Sequence, residues 1–207
     1  MDLKEVYNKI ADGWSSLRQH PHPKEIIEIR NWKGRILDLG CGNGVNLQLF
    51  KDSELYGIDF SDEMIRHARE LCKKKGIDAD LRTGDVLNLP YDDNFFDYII
   101  FSKVFSHIKP ADQERALSEI KRVLKGKIFI AAWNYDYTEN KGKRKERMIP
   151  WTTGGKTFYR YYYFFEQDEL ISLLERNGFK AENILTEKDG QNICIIAGVS
   201  ERSNVQG

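Results

Sequence analysis

The chain has 207 residues, enough for one domain with a sizeable core and cramped for two. Its 32 Lys and Arg balance 32 Asp and Glu, so overall charge announces no polyanion, and a nucleic-acid binder would need a local basic patch. No apolar run is long enough for a membrane helix, the start Met-Asp-Leu-Lys-Glu reads as no signal peptide, and Cys41, Cys72 and Cys194 are spaced for neither disulfides nor zinc. These features predict a cytoplasmic protein without a metal site.

Leu3, Val6, Tyr7 and Ile10 recur at helical spacing and predict an amphipathic helix. A polar, proline-broken segment follows over residues 14–23, and Pro23 opens a short helix with Ile26, Ile27 and Ile29. Residues 1–32 therefore read as an N-terminal helical cap. Strands and helices alternate from Arg35 onward. Residues 36–39 form a predicted strand, followed by a helix through Leu47 and Phe50 and a strand at 55–58. Ser61 caps the next helix, Asp62 and Glu63 suit its positive dipole end, and Ile65, Ala68 and Cys72 mark its buried face.

Further strands are expected at 79–82 and 98–101, the latter apolar throughout, as when both sheet faces are covered. Pro110 opens a helix with Leu117, Ile120 and Leu124 inward, and 127–132 is the fifth strand. The alternation predicts an α/β fold with a mostly parallel sheet and helices on both faces. Residues 134–163 show no clear period and read as a substrate-side insertion. A helix over 166–177 stops at Gly178. Strands near 181–185 and 192–198 flank Lys188-Asp-Gly-Gln and predict an antiparallel hairpin at the sheet edge. Residues 1–200 read as one domain and 201–207 as a disordered tail.

Residues 36–44 read Ile-Leu-Asp-Leu-Gly-Cys-Gly-Asn-Gly. Gly40, Gly42 and Gly44 let backbone amides approach a ligand where side chains would clash. The dinucleotide fingerprint is G-x-G-x-x-G, but here the third glycine comes a residue early and Val45 takes the later slot. Asp38 would repel a pyrophosphate and suits an ammonium group. Asp59, ending Leu-Tyr-Gly-Ile-Asp, can accept from both ribose hydroxyls, and Asp85, after the third strand, can accept from the adenine amino group. A ribose, a cation and no phosphate describe S-adenosylmethionine. Any one of these residues fits a turn or a helix cap equally well; the ordered set points to a methyl donor.

Over residues 35–133 these motifs resemble the class I S-adenosylmethionine-dependent methyltransferases. That resemblance implies a Rossmann-like seven-stranded sheet with an antiparallel last strand, which agrees with the terminal hairpin. A second set of motifs lies around the first: Tyr7-Asn-Lys-Ile-Ala11, Trp14 to Arg18, Pro21-His-Pro23, Ser102-Lys-Val-Phe-Ser-His107, Trp133, Ile149-Pro-Trp151, Tyr159-Arg-Tyr-Tyr162 and Asn192. Together they are similar to the wobble-uridine tRNA methyltransferases that esterify 5-carboxymethyluridine. Leu17-Arg18 stands for that family's Thr-Arg, His22-Pro23 for Trp-Pro, Ser106-His107 for its paired histidines, and Tyr163 for the histidine after Arg-Tyr-Tyr. The resemblance implies tRNA as substrate and a small zinc-containing activator protein as partner.

A carboxylate acceptor is ionised at neutral pH, since a free carboxyl titrates near about 4, so such a methyl transfer needs no strong base. Alignment and exclusion of water carry the rate instead. Arg18 and Arg160 are candidate clamps for a carboxylate or phosphate, with Asn192 as a neutral donor. His107 and Ser102 sit at the carboxyl end of the fourth strand, where ligands collect in open α/β sheets; Ser102 is assigned to the cofactor and His107 to the reaction. Trp133, Trp151 and Tyr161 are candidate base-stacking residues.

Each assignment has a structural alternative. Arg18 can be a solvated charge, Arg160 can pair with an acid of the insertion, His107 can cap the next segment, and either tryptophan can be core. Lys141, Lys143, Arg144, Lys145 and Arg147 form the densest basic run, a solvated loop or an RNA backbone contact. Two competing functions are a small-metabolite methyltransferase with His107 as base and a cofactor-binding subunit without catalysis. The intact set from Asp38 to Asp85 argues against the latter.

Overall fold

The computed structural model describes residues 1–186 and 190–200. Helix α1 (Leu3–Leu17) leads through a 3-10 turn at Lys24–Ile29 into strand β1 (Arg35–Leu39). Strand β2 (Glu54–Asp59), helix α2 (Asp62–Lys75), β3 (Ala79–Thr83), β4 (Phe96–Ser102), α3 (Pro110–Val123) and β5 (Leu124–Trp133) follow. Strands β6 (Glu146–Thr153) and β7 (Lys156–Tyr163) form a separate ribbon, before α4 (Gln167–Arg176), β8 (Phe179–Thr186) and β9 (Asn192–Val199).

Seven strands form one sheet in the order β3-β2-β1-β4-β5-β9-β8. The neighbours from β3 to β5 are parallel, and β9 runs antiparallel to both β5 and β8. The expected mostly parallel sheet and terminal antiparallel pair are therefore present. The turn expected at Lys188-Asp189 and the expected tail at 201–207 lie outside the described residues.

Strand alternation divides the core between two faces. Leu37, Leu39, Ile99, Phe101 and Ile128 pack with α3 and α4, while Ile36, Ile100 and Phe129 pack with α2 and the Lys24–Ile29 turn. Ser61 Oγ accepts from Met64 N at 3.1 Å to cap α2, and Gly76 closes the helix at φ +63°.

Four expectations change. Leu124, expected on the inward face of α3, instead begins β5, its backbone already extended. Helix α1 continues through Trp14 to Leu17, because Pro21 lies beyond its last turn. The segment after β1 is a short 3-10 turn at Val45–Leu49 rather than a full helix. The aperiodic insertion contains the β6–β7 hairpin, closed by Gly154 (φ +54°) and Gly155 (φ +71°), the two positive-φ positions of a type I′ turn. Its alternation was masked because both faces carry aromatic and charged residues. The inner face packs Trp151 and Phe158 against Tyr7, Ile10 and Met64, so the ribbon and α1 together roof the carboxyl end of the sheet.

Candidate active site

At the point where the strand order reverses, between β1 and β4, a cavity of about 440 Å³ opens above the strand ends. The turn after β1 forms its floor. Gly40 N and Cys41 N donate to the Ile58 carbonyl at 2.7 and 3.0 Å, lashing the turn to β2. Gly42 N and Ser61 N each donate to the Asp59 carboxylate at 2.9 Å. All three turn glycines have positive φ. Their added Cβ atoms would meet Val104, Trp14 and Ala68 respectively, so the glycines serve backbone conformation and wall packing more than direct approach to a ligand.

Asp59 is 6% exposed, and burial raises its carboxyl to about 6 despite the two amides. Asp38 is deeper: burial raises it to about 7, opposed by a hydrogen bond from Asn46 and reinforced by Asp59. Its Oδ2 has no hydrogen-bond partner among the described residues. Asp59, Gly40, Gly42 and Asp85 line the cavity, whereas Asp38 and Gly44 do not. Asp85 is exposed and its carboxylate already accepts from Leu87 N at 3.0 Å. Ser102 also lines the cavity, with its hydroxyl donating to the His22 carbonyl at 2.9 Å.

The opposite wall comes from α1, the segment after β4 and the ribbon. Arg18, His107, Trp133 and Arg160 all reach it, four residues far apart in the chain. Arg160 is 7% exposed and lies over the rings of Trp151 and Tyr162, 4.8 and 5.2 Å from their centroids. It makes no ion pair among the described residues, and its Nε lacks a hydrogen-bond partner. The acid pairing offered by the sequence is thus absent. Arg18 ends α1, half-buried beside Trp14, with its guanidinium 5.9 Å from that ring.

His107 is held at both ring nitrogens. Nδ1 lies 2.8 Å from the Tyr161 carbonyl and Nε2 lies 2.8 Å from the Tyr7 hydroxyl. Burial and the Arg160 charge push the imidazole down to about 4, outweighing the carbonyl that favours the charged form.

Besides Asp38 and Gly44, three further sequence candidates do not line the cavity. Tyr161 points outward, donating its hydroxyl to Glu146 at 2.9 Å, and its neighbour Tyr162 takes the wall position because side chains alternate along β7. Trp151 backs Arg160 instead of facing the cavity. Asn192, opposite Trp133 at the start of β9, is 1% exposed and stays within the sheet.

Sequence reading missed Tyr7, Trp14, Phe60 and Tyr162 as wall residues. Tyr7 sits on the helical stripe that marked the core, and a hydroxyl on an apolar face was its signal. Lys103 was missed as well; at φ +64° it turns the chain after β4, its Nζ 2.6 Å from His22 Nε2 and 4.7 Å from the Trp133 ring centroid. The basic run is broken up: Lys145 pairs with Glu166 and Glu169 at 3.3 and 3.0 Å, and Arg147 lies 3.7 Å from the Phe164 centroid.

The methyltransferase domain family matches residues 36–127. The tRNA (carboxymethyluridine(34)-5-O)-methyltransferase of Saccharomyces cerevisiae is 30% identical over 72% of this chain and 56% of its own length, so the chain spans little more than half of that relative. A Haloferax volcanii methyltransferase solved in complex with the Trm112 methyltransferase activator superposes with TM-score 0.72 at 16% identity, covering 97% of this chain and 99% of that one. The Burkholderia thailandensis 1,6-didemethyltoxoflavin-N1-methyltransferase, solved with its acceptor and S-adenosylhomocysteine, gives 0.73 at 17% identity over 95% and 88%.

The chain is a class I S-adenosylmethionine-dependent methyltransferase. Within that class its sequence is similar to the tRNA carboxymethyluridine methyltransferases. The residues present suit this cofactor: the buried Asp59 carboxylate lines the cavity for hydroxyl groups, and behind that lining Asp38 keeps a carboxyl oxygen unpaired among the described residues, a charge that favours a cationic group. Among the described residues no helix is long and apolar enough to cross a membrane.

Proposed function

We propose that the protein methylates the carboxylate of a 5-carboxymethyl-type uridine at the wobble position of tRNA. The observation that carries this reading is Arg160, a guanidinium buried in the cavity wall without a carboxylate partner among the described residues. Burying a charge is costly unless a counter-charge arrives, and a planar guanidinium matches a carboxylate in bidentate geometry. The similarity to the yeast enzyme supports the same acceptor.

When bound, S-adenosylmethionine supplies an activated methyl group. Asp59 would accept the ribose hydroxyls and Asp85 the adenine amino group, Gly40, Gly42 and Ser102 would border the amino-acid end, and Asp38, buried behind the lining, would offset its positive charge. Arg160 and Arg18 hold the acceptor carboxylate, and Trp133 and Tyr162 bound the base. The acceptor is already anionic, so these residues need only align it and exclude water. His107 keeps Tyr7 in place rather than removing a proton. In this reading Trm112-like activation, as in the Haloferax complex, extends to the present protein through a small zinc-binding subunit, and the reaction is cytoplasmic.

A small-metabolite methyltransferase with His107 as base is the competing reading. Both nitrogens of His107 are engaged and its basicity is depressed, which counts against that role. Labelled S-adenosylmethionine incubated with bulk tRNA, with and without the activator, followed by digestion to nucleosides, separates the two. A base-labile labelled ester on a wobble uridine is expected. No label in tRNA under either condition, with cofactor still bound, sinks the reading.

A further inference from the structure

The two faces of the β6–β7 ribbon differ in character. Directly opposed residues of an antiparallel pair share a face, and the register sets Met148 opposite Tyr161 and Pro150 opposite Tyr159. These four look outward, while Arg160 and Tyr162 look into the cavity. Met148 and Tyr159 are each 56% exposed and lie on this same face. Tyr161 is pinned at its hydroxyl by Glu146, which orients the ring on that face.

Charge surrounds this aromatic strip on both ends. Lys141, Lys143 and Arg144 are exposed where the chain enters the ribbon, and Lys156 is exposed at its tip. Two rings two residues apart on one strand face, flanked by cations, reproduce the chemistry by which sheet surfaces hold single-stranded nucleic acid: bases stack on rings and phosphates meet lysine and arginine.

We propose that the outer face of the β6–β7 ribbon docks single-stranded RNA, with bases on Tyr159 and Tyr161 and phosphates toward Lys141, Lys143, Arg144 and Lys156. The inference rests on the tRNA reading above and adds where the RNA lies. Arg160, between the two stacking tyrosines in sequence, faces the opposite side, so docking platform and acceptor pocket are two sides of one strand.

The test is binding of an unmodified anticodon stem-loop to the full chain, followed by fluorescence anisotropy at several salt concentrations. Tyr159→Ala with Tyr161→Ala should weaken binding at least tenfold, with cofactor affinity and circular dichroism unchanged. Tyr159→Phe with Tyr161→Phe should restore it, since stacking needs the ring and not the hydroxyl. Replacing Lys141, Lys143 and Arg144 by Gln should reduce the slope of log Kd against log salt by about 2. Unchanged RNA affinity in the folded double-alanine protein overturns the proposal, and it also covers the case in which the face holds a protein instead. The labelled transfer to tRNA by the unmodified protein distinguishes the two failures. Transfer with an indifferent double-alanine variant removes only this surface; neither transfer nor binding removes the tRNA reading and this surface with it.

Discussion

Tyr7 donates its phenolic proton to His107 Nε2 across 2.8 Å, and a third group sets the direction of that bond. The Tyr161 carbonyl can only accept, so the His107 Nδ1 that lies 2.8 Å from it carries the ring proton and Nε2 is left as an acceptor. One chain of hydrogen bonds thereby joins α1, the segment after β4 and the ribbon, the three parts of the roof. Tyr7→Phe leaves a buried Nε2 unsatisfied and should destabilise the protein by about 1–3 kcal/mol in urea unfolding. A loss below the error of that measurement would show the bond to be dispensable.

The same imidazole makes a pH prediction. Its folded value of about 4 lies below the ordinary 6.5, so between those values the unfolded chain binds the extra proton. Stability from this group is therefore complete above about 6.5 and is lost as pH falls toward about 4. The advantage of the native protein over His107→Gln should shrink by about 2 kcal/mol between pH 8 and pH 5. A pH-independent difference would mean that the histidine is solvated.

Asp38 has the opposite sign. A buried carboxyl raised to about 7 keeps its proton on folding, so its contribution falls as pH rises from about 4 through about 7. A cation bound beside it favours ionisation. Cofactor binding near pH 6.5 should then release a proton, seen as a binding enthalpy that varies with buffer ionisation heat, and Asp38→Asn should abolish that dependence. Identical buffer dependence in the variant would assign the proton to another group.

For Arg160→Met, methyl transfer to tRNA should fall by about 10–100-fold while cofactor affinity stays within twofold, the size expected for losing charge-assisted hydrogen bonds. Wild-type turnover in this variant would remove Arg160 from the acceptor site.

Gly40→Ala places a side chain at φ +73° and into Val104. The left-handed conformation alone costs about 1–2 kcal/mol, so both thermal stability and cofactor affinity should drop. Retained affinity with lowered stability would confine the glycine to packing.

Local chemistry made much of this protein readable from its residues. Period-two and period-3.6 apolar patterns, Ser61 as a cap, Gly178 as a helix stop and the glycine turn with Asp59 all act within a few residues of themselves, so order and spacing suffice to define the α/β sheet and the cofactor. The opposite wall of the cavity is another matter. Tyr7, Arg18, His107, Arg160 and Tyr162 come from three distant segments, and only the packing of the ribbon over α1 brings them to one cavity. The Gly154-Gly155 turn was written in the sequence, but the parity that sends Tyr162 inward and Tyr161 outward depends on which ribbon face meets α1. A one-residue shift in register would exchange the two. Sequence alone thus determined the class of cofactor; tertiary packing decided which side chains face the cavity, because facing is a property of docked surfaces and not of neighbours in the chain.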